Sequence, residues 1–395
     1  MRARSLIQLF VLGLLTVVCG LGGGIAGAQP AVITTIPLSP GGHRPQGIAV
    51  NPRTNRIYVA NYDSDNVSVI DGATNTAVAT VPVGDVAWAV EVDPRTNRVY
   101  VIAGEALAVI DGETNELLTA IPLEGGRQGR WIAVNPTSNR VYVANALDNT
   151  VSVIDGRRGV IINTVAVGEE PLGIDVNPTN GRVYVVNVMS KSVSVIDGRK
   201  NKRIADIPLG FLASDIAVNP ETNRIYVSHI AGFSVIDGAS NKVVTTVADG
   251  RPSMVLTVNP TTNRVYVAEA ARETVDVIDG ESNTIVDTVD IGAQIADLAA
   301  NPDTNRIYVA NLDRDAVSVI EDPSVTKPVA TPTATATATL EPTITAAPTP
   351  GAVITGPSTG GGPGEHGAMC EGVLLALGLE GALLIVAGYV SKRSR

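Results

Sequence analysis

The chain has 395 residues, 45% of them hydrophobic but only 4% aromatic, and a formal net charge of −10. Its apolar content is mostly Val, Ile, Ala and Leu, a composition that favours strands, and the negative balance gives no global pull toward nucleic acid, so no nucleic-acid partner is expected. The two cysteines, Cys19 and Cys370, fall outside the body of the chain, which excludes a disulfide framework or a cysteine-based metal site there.

Residues 1–28 read as a secretory signal. Arg2 and Arg4 form a basic start, residues 5–19 are mostly apolar, and Ala26-Gly27-Ala28 supplies the small residues expected before a cleavage site.

From residue 29 to residue 322 the chain repeats one unit. An Asn-Pro pair recurs at Asn51, Asn135, Asn177, Asn219, Asn259 and Asn301, with Asp93 in the remaining slot, at a spacing of 42 residues that shortens once to 40. Arg-(Ile/Val)-Tyr-Val follows in every unit, at Tyr58, Tyr100, Tyr142, Tyr184, Tyr226, Tyr266 and Tyr308. Val-Ile-Asp-Gly comes next, ending at Asp71, Asp111, Asp155, Asp197, Asp237 and Asp279 before its Gly, and degrades to Glu321-Asp322 in the last unit.

Within the first unit the predicted strands are 47–50, 56–61, 67–71 and 77–83, separated by turns rich in Pro, Asn and Gly. Four short antiparallel strands in about 40 residues is the period of a propeller blade. Gly181 stands where Asn55, Asn97 and Asn139 stand in other units, so that slot is expected to have positive φ. The seventh unit ends after its third strand, and residues 31–37 resemble the fourth strand of the others. The expected fold is therefore all-β, a seven-bladed β-propeller with four-stranded antiparallel blades, whose N-terminal strand closes blade seven and leaves no orphan edge.

The Ile-Tyr-Val-Ala-Asn segment at Tyr58–Asn61, followed by Val-Ser-Val-Ile-Asp-Gly, is similar to the YVTN repeat family of β-propellers. The resemblance covers every blade across 31–322. It implies a bacterial or archaeal surface protein, and the wider fold group includes lactonases and quinoprotein-like propellers. It implies architecture far more than activity.

Residues 323–370 change to Thr, Pro, Ala and Gly without apolar periodicity, the composition of an extended stalk that would reach roughly 150 Å if fully drawn out. Residues 371–390 are largely apolar and long enough for a transmembrane helix, and the basic tail 391–395 sets a cytoplasmic C-terminus, so the propeller is expected outside the cell membrane. Glu380 is an expensive residue within that span.

Turns after the first and third strands share one face of a propeller, and here they are nearly uniform. The opposite face carries loops that differ between units and are free to bind. Trp88, Trp131, Arg127 and Arg130 lie there, with His43, Arg44 and Arg251 in comparable loops; aromatic planes beside guanidinium groups suit sugars or anions. The two Trp side chains equally suit plugs of the channel mouth. Glu91, Asp175, Asp215 and Asp297 sit on the innermost strands, where converging carboxylates either line a watered channel or hold a divalent cation such as calcium. The repeated arginines are expected to pair across strands within each blade, as Arg56 with Asp71, and the repeated tyrosines to pack between blades.

Catalytic signals are sparse. Histidine occurs only at His43, His229 and His366, and no nucleophile, phosphate-loop or zinc motif is present. The expected function is a surface-displayed, non-catalytic binding or adhesion module with a cell-surface glycan or protein partner and no cofactor. The competing reading is a secreted lactonase-type hydrolase using acids at the channel mouth.

Overall fold

The computed structural model describes residues 29–38, 41–123, 129–248, 250–269 and 272–323. The expected signal, stalk, anchor and tail lie outside the described residues, as does Arg127. Among the described residues no helix is long and apolar enough to cross a membrane.

The strands form seven four-stranded antiparallel sheets, each in simple sequence order except the last. Blades one to six occupy 45–82, 87–122, 129–166, 171–208, 213–247 and 253–290, and blade seven joins 295–321 to the N-terminal strand Ala31–Pro37. The predicted strands match to within two residues: blade one has Pro45–Asn51, Arg56–Asn61, Asn66–Asp71 and Thr76–Pro82. Ala31–Pro37 pairs with Ala316–Glu321, Thr35 Oγ1 lies 3.4 Å from Ser318 Oγ, and Ile36 and Leu38 are buried in the seam between blades seven and one.

The core is a set of seven seams rather than one centre. Each repeated tyrosine is fully buried and packs against the next blade, as Tyr58 does among Val90, Val92, Val99 and Val101. Burying one such side chain contributes about 2–3 kcal/mol, against a net ~1 kcal/mol for a hydrogen bond. Apolar packing therefore supplies most of the seam stability, and polar groups set its register.

Those polar groups explain why one face is uniform. Each Asn-Pro asparagine accepts an amide within its own turn, as Asn51 Oδ1 does from Arg53 at 3.1 Å. Its Nδ2 then donates to the positive-φ asparagine of the next blade: Asn51 to Asn97 at 2.7 Å, Asn177 to Asn223 at 2.8 Å, Asn219 to Asn263 at 2.8 Å, Asn259 to Asn305 at 3.2 Å and Asn301 to Asn55 at 2.8 Å. Asp93 can only accept, and there Asn139 turns its amide to donate to Asp93 Oδ2 at 3.2 Å. Gly181, with φ 76°, is the one member of the positive-φ slot without a side-chain acceptor; the asparagines of that slot have φ of 52–54°.

The repeated arginines correct the expectation of a ring of pairs inside each blade. Each does sit opposite an acidic residue in register, as Arg56 opposite Asp71, and Arg56–Asp71 (3.0 Å) and Arg224–Asp237 (3.3 Å) are ion pairs. In the other blades the guanidinium crosses the seam instead. Arg98 donates to the Gly156 carbonyl at 2.7 Å, Arg306 to that of Gly72 at 2.9 Å, and Arg140 and Arg182 to those of Gly198 and Gly238. Arg264 meets Asp322 of blade seven, so the degraded last motif retains a joint. Turn capping by the acid does not decide between the two arrangements: Asp71 caps the following turn through the Ala73 amide at 2.8 Å and still pairs with Arg56.

The glycine after that acid is required by a close approach. A Cβ on Gly112, Gly156 or Gly198 would lie 2.6–2.8 Å from the hydroxyl of the preceding blade's repeated tyrosine.

Candidate functional site

A pocket of about 140 Å³ opens where the seven inner strands converge, and its lining includes Trp88, Trp131, Glu91, Asp175, Asp215 and Asp297. Sequence position put the four acids on inner strands and the two tryptophans in the variable segments leading into them, and the fold brings all six to one cavity.

A bulge in every inner strand makes this possible. The register with the second strand shifts between Pro45 and Gly47, Ala87 and Val90, Gly129 and Trp131, Pro171 and Ile174, Ala213 and Ile216, Ser253 and Leu256, and Ile295 and Asp297. A bulge re-aims side chains. Trp88 and Trp131 occupy slots one residue apart when the blades are aligned on their turns, yet both line the pocket.

Each indole is half-buried. Trp88 packs against the seam between blades two and three, and Trp131 against that between blades three and four. Each indole thus packs against a seam between blades and also lines the pocket. Trp88 also meets Tyr62 edge-on, with ring centroids 5.4 Å apart and planes at 73°. Sequence reasoning missed Tyr62. Its signal was available: it is a tyrosine outside the repeated slot, on the face where loops vary.

The four carboxylates are held by main-chain amides, several from the neighbouring blade. Asp297 accepts from Ile48 (3.0 Å) and Leu298 (2.8 Å), Asp175 from Val218 (2.7 Å) and Val176 (2.6 Å), Asp215 from Leu256 (3.0 Å), and Glu91 from Val92 (2.8 Å). They face the lumen but are deep within protein atoms. Loss of solvent raises Glu91 to about 8, Asp175 to about 7, Asp215 to about 8 and Asp297 to about 7. Mutual repulsion adds to this, from Asp297 and Asp175 on Asp215, from Asp175 on Glu91 and from Glu91 on Asp297, while the amide bonds oppose it. Among the described residues no group of three or more His, Cys, Asp or Glu is arranged to hold a metal ion.

His43, Arg44 and Arg251 are not among the residues that line this pocket. His43 and Arg44 are exposed and attached to blade seven: His43 Nδ1 lies 2.9 Å from Asp315 Oδ2, and the Arg44 amide donates to Asp315 Oδ1 at 2.7 Å. The Arg44 guanidinium sits 4.9 Å from the Tyr62 ring centre and 3.7 Å from Asp63. Arg130 lies on the inner strand of blade three, and its side chain is outside the described residues.

Arg251 contacts Glu269 (3.0 Å) and Asp276 (3.1 Å), both buried. These two residues replace a pair that recurs elsewhere. Asn61 donates to Ser68 at 2.9 Å, Asn145 to Ser152 at 2.9 Å, Asn187 to Ser194 at 2.9 Å and Asn311 to Ser318 at 2.9 Å. In blade two both members are alanine, Ala103 and Ala108, a change that removes donor and acceptor together and so strands neither. In blade six both are acids, and two buried carboxylates need a cation. Arg251 is thereby assigned to that joint rather than to the mouth. His229 of blade five takes the same slot, contacts Ser234 at 3.1 Å and stacks on Phe211 at 4.5 Å, fully buried.

No family model matches the chain, and no curated protein matches it. Among solved structures it is similar to Kuenenia stuttgartiensis Hydrazine Synthase, at 18% identity and a TM-score of 0.63, covering 70% of this chain and 95% of that one. At that identity the likeness speaks for architecture alone, and with the seven sheets above it establishes the chain as a seven-bladed β-propeller.

Proposed function

We propose that this protein is a surface-displayed, non-catalytic binding or adhesion module of the YVTN repeat type, carried on the Thr/Pro/Gly-rich stalk and anchored through residues 371–390. Its binding site is the channel mouth framed by Trp88 and Trp131. The observation that carries the reading is the division of labour between the two faces. On one face the repeated Asn, Arg and Gly residues are used in joints between blades. On the other, two half-exposed indoles border a pocket. A cell-surface glycan or protein is the partner class, since stacking on an aromatic plane tolerates varied ligands and contributes on the order of 1–3 kcal/mol.

The competing hydrolase reading draws support from the channel acids. Carboxyl groups raised to about 7–8 hold protons near neutrality, which suits general acid and base work. A glycan and peptidoglycan array probed with the full-length protein, run beside a lactone turnover screen, separates the two. Trp131→Ala should weaken binding to any array ligand by about tenfold or more, roughly 1.4 kcal/mol, while Thr54→Ala on the uniform face should leave it unchanged. Lactone hydrolysis abolished by Glu91→Gln or Asp215→Asn would favour the hydrolase instead.

A further inference from the structure

We propose that the channel mouth takes a small organic cation, an alkylammonium or quaternary ammonium group, received by the indoles of Trp88 and Trp131 and balanced by the carboxylates beneath them. The proposal rests on the binding-module reading and names its ligand class.

Size is the first constraint. An engineered cavity of ~150 Å³ holds a molecule the size of benzene, so a pocket of about 140 Å³ admits a group of that order. A whole sugar ring with its substituents would stand partly outside, whereas a trimethylammonium head would enter.

Charge is the second. Every ionisable residue in the described lining is an acid: Glu91, Asp175, Asp215 and Asp297. Above about pH 8, where these groups are ionised, an anionic ligand would meet four carboxylates in a site shielded from water, where repulsion is poorly screened. The expectation of an acidic ligand rests on Arg127 and Arg130, whose side chains lie outside the described residues.

Shape is the third. Tryptophan is the best aromatic partner for a cation, which it attracts over its ring face. Its presence twice at the rim of an acidic pocket matches a charge wrapped in methyl groups, whose shell is apolar and whose total is positive. Carboxylates keep acceptor capacity for such a charge. Glu91 has one amide bond, from Val92 to Oε1, and an ionised carboxylate offers about four lone-pair sites.

Protons couple to this binding. A carboxyl group that is protonated at about pH 6 must release its proton to balance a cation, so affinity should rise with pH through the range about 7–8 where these groups titrate.

The test is calorimetric titration of the full-length protein with choline chloride, against 3,3-dimethylbutanol, its neutral carbon counterpart, and against sodium chloride at equal ionic strength. Choline should bind at least about tenfold more tightly than the neutral counterpart. It should bind several-fold more tightly at about pH 8.5 than at about pH 6. Glu91→Gln, which conserves shape and the Val92 bond, should weaken choline about fivefold or more and flatten that pH dependence. Trp131→Phe should weaken it less than Trp131→Ala. Phosphocholine separates a free cation from a lipid headgroup: its phosphate should be repelled and its binding weaker, and binding equal to choline would overturn the role given to the acids. Equal affinity for choline and dimethylbutanol, or no choline binding by folded protein, also overturns the proposal. If glycans then still bind in a Trp131-dependent way, the binding-module reading survives without it. If no ligand class depends on Trp131, both fail.

Discussion

At the scale of single residues, the repeat is a record of joints. An asparagine recurs in the Asn-Pro turn because one side chain does two jobs, capping its own turn and donating to the next blade. Gly181 tests this account. Its φ of 76° lies in the left-handed region, and a Cβ there would meet only Arg199 Cγ, at 4.0 Å. Gly181→Asn should fit the slot and restore the acceptor that Asn135 lacks, stabilising the protein by about 1 kcal/mol. Gly181→Val, branched at positive φ, should destabilise it by a similar amount or more. Denaturant midpoints of the two variants check both signs; a stabilising Val or a destabilising Asn would contradict the amide ring.

At the scale of the strand, closure and edges matter most. Ala31–Pro37 supplies the outer strand of blade seven from the opposite end of the chain, so the ring is latched by hydrogen bonds and by Ile36 and Leu38 in the seam. Removing residues 31–37 should expose the third strand of blade seven and strip those contacts. Burial of Ile36 alone is worth about 2–5 kcal/mol by analogy with Ile→Ala changes. The expected outcome is a lower melting temperature and concentration-dependent aggregation, read by calorimetry and light scattering; a monomer melting with the parent would refute the latch. The outer strands also protect themselves. In each, the pairing skips one residue (Ile33, Val78, Leu118, Ile162, Ile204, Val244 and Val286), and these side chains are exposed by 39–51%. Such bulges twist an edge away from partners, so this apolar belt is read as edge protection rather than as a docking surface.

For the whole molecule, the channel acids set the pH response. Glu91, Asp175, Asp215 and Asp297 hold protons to about 7–8, against about 4 in the unfolded chain. Between those limits the folded state binds more protons than the unfolded one, so stability falls as pH rises from about 4 to about 8. Asp71, Asp237 and Asp315 act oppositely. Main-chain amides, from Ala73, Ser240 and Arg44 respectively, hold them below the ordinary value, and their contribution is lost as pH falls through their folded values. Greatest stability is therefore expected in the mildly acidic range. Urea unfolding across the range should show the decline toward alkaline pH, and Glu91→Gln should reduce its slope. A profile that stays flat between about pH 6 and 9 would mean that the acids are solvated and ionised.

The fold was legible because a propeller repeats its local problem seven times. Tyr, Asn-Pro and Asp-Gly in register announce strands, turns and their number, and the positive φ of the Gly181 slot followed from Asn and Gly alternating there. The partners across the seams were not legible. Arg98 faces Asp111 within its blade but spends its guanidinium on Gly156, a choice made only when two blades pack at a given distance. The candidate site divides in the same way. Sequence placed the four acids on inner strands, and Trp88 and Trp131 at the entries to such strands, where the ring's closure gathers them. It grouped His43, Arg44 and Arg251 with them by loop position alone. Loop position carries no direction, and the structure turns these three toward Asp315, Tyr62 and the Glu269–Asp276 pair. Periodic contacts are written in the chain because each copy repeats them. The inner-strand bulges and the seam distances depend on all seven blades closing together, and tertiary structure alone decides them.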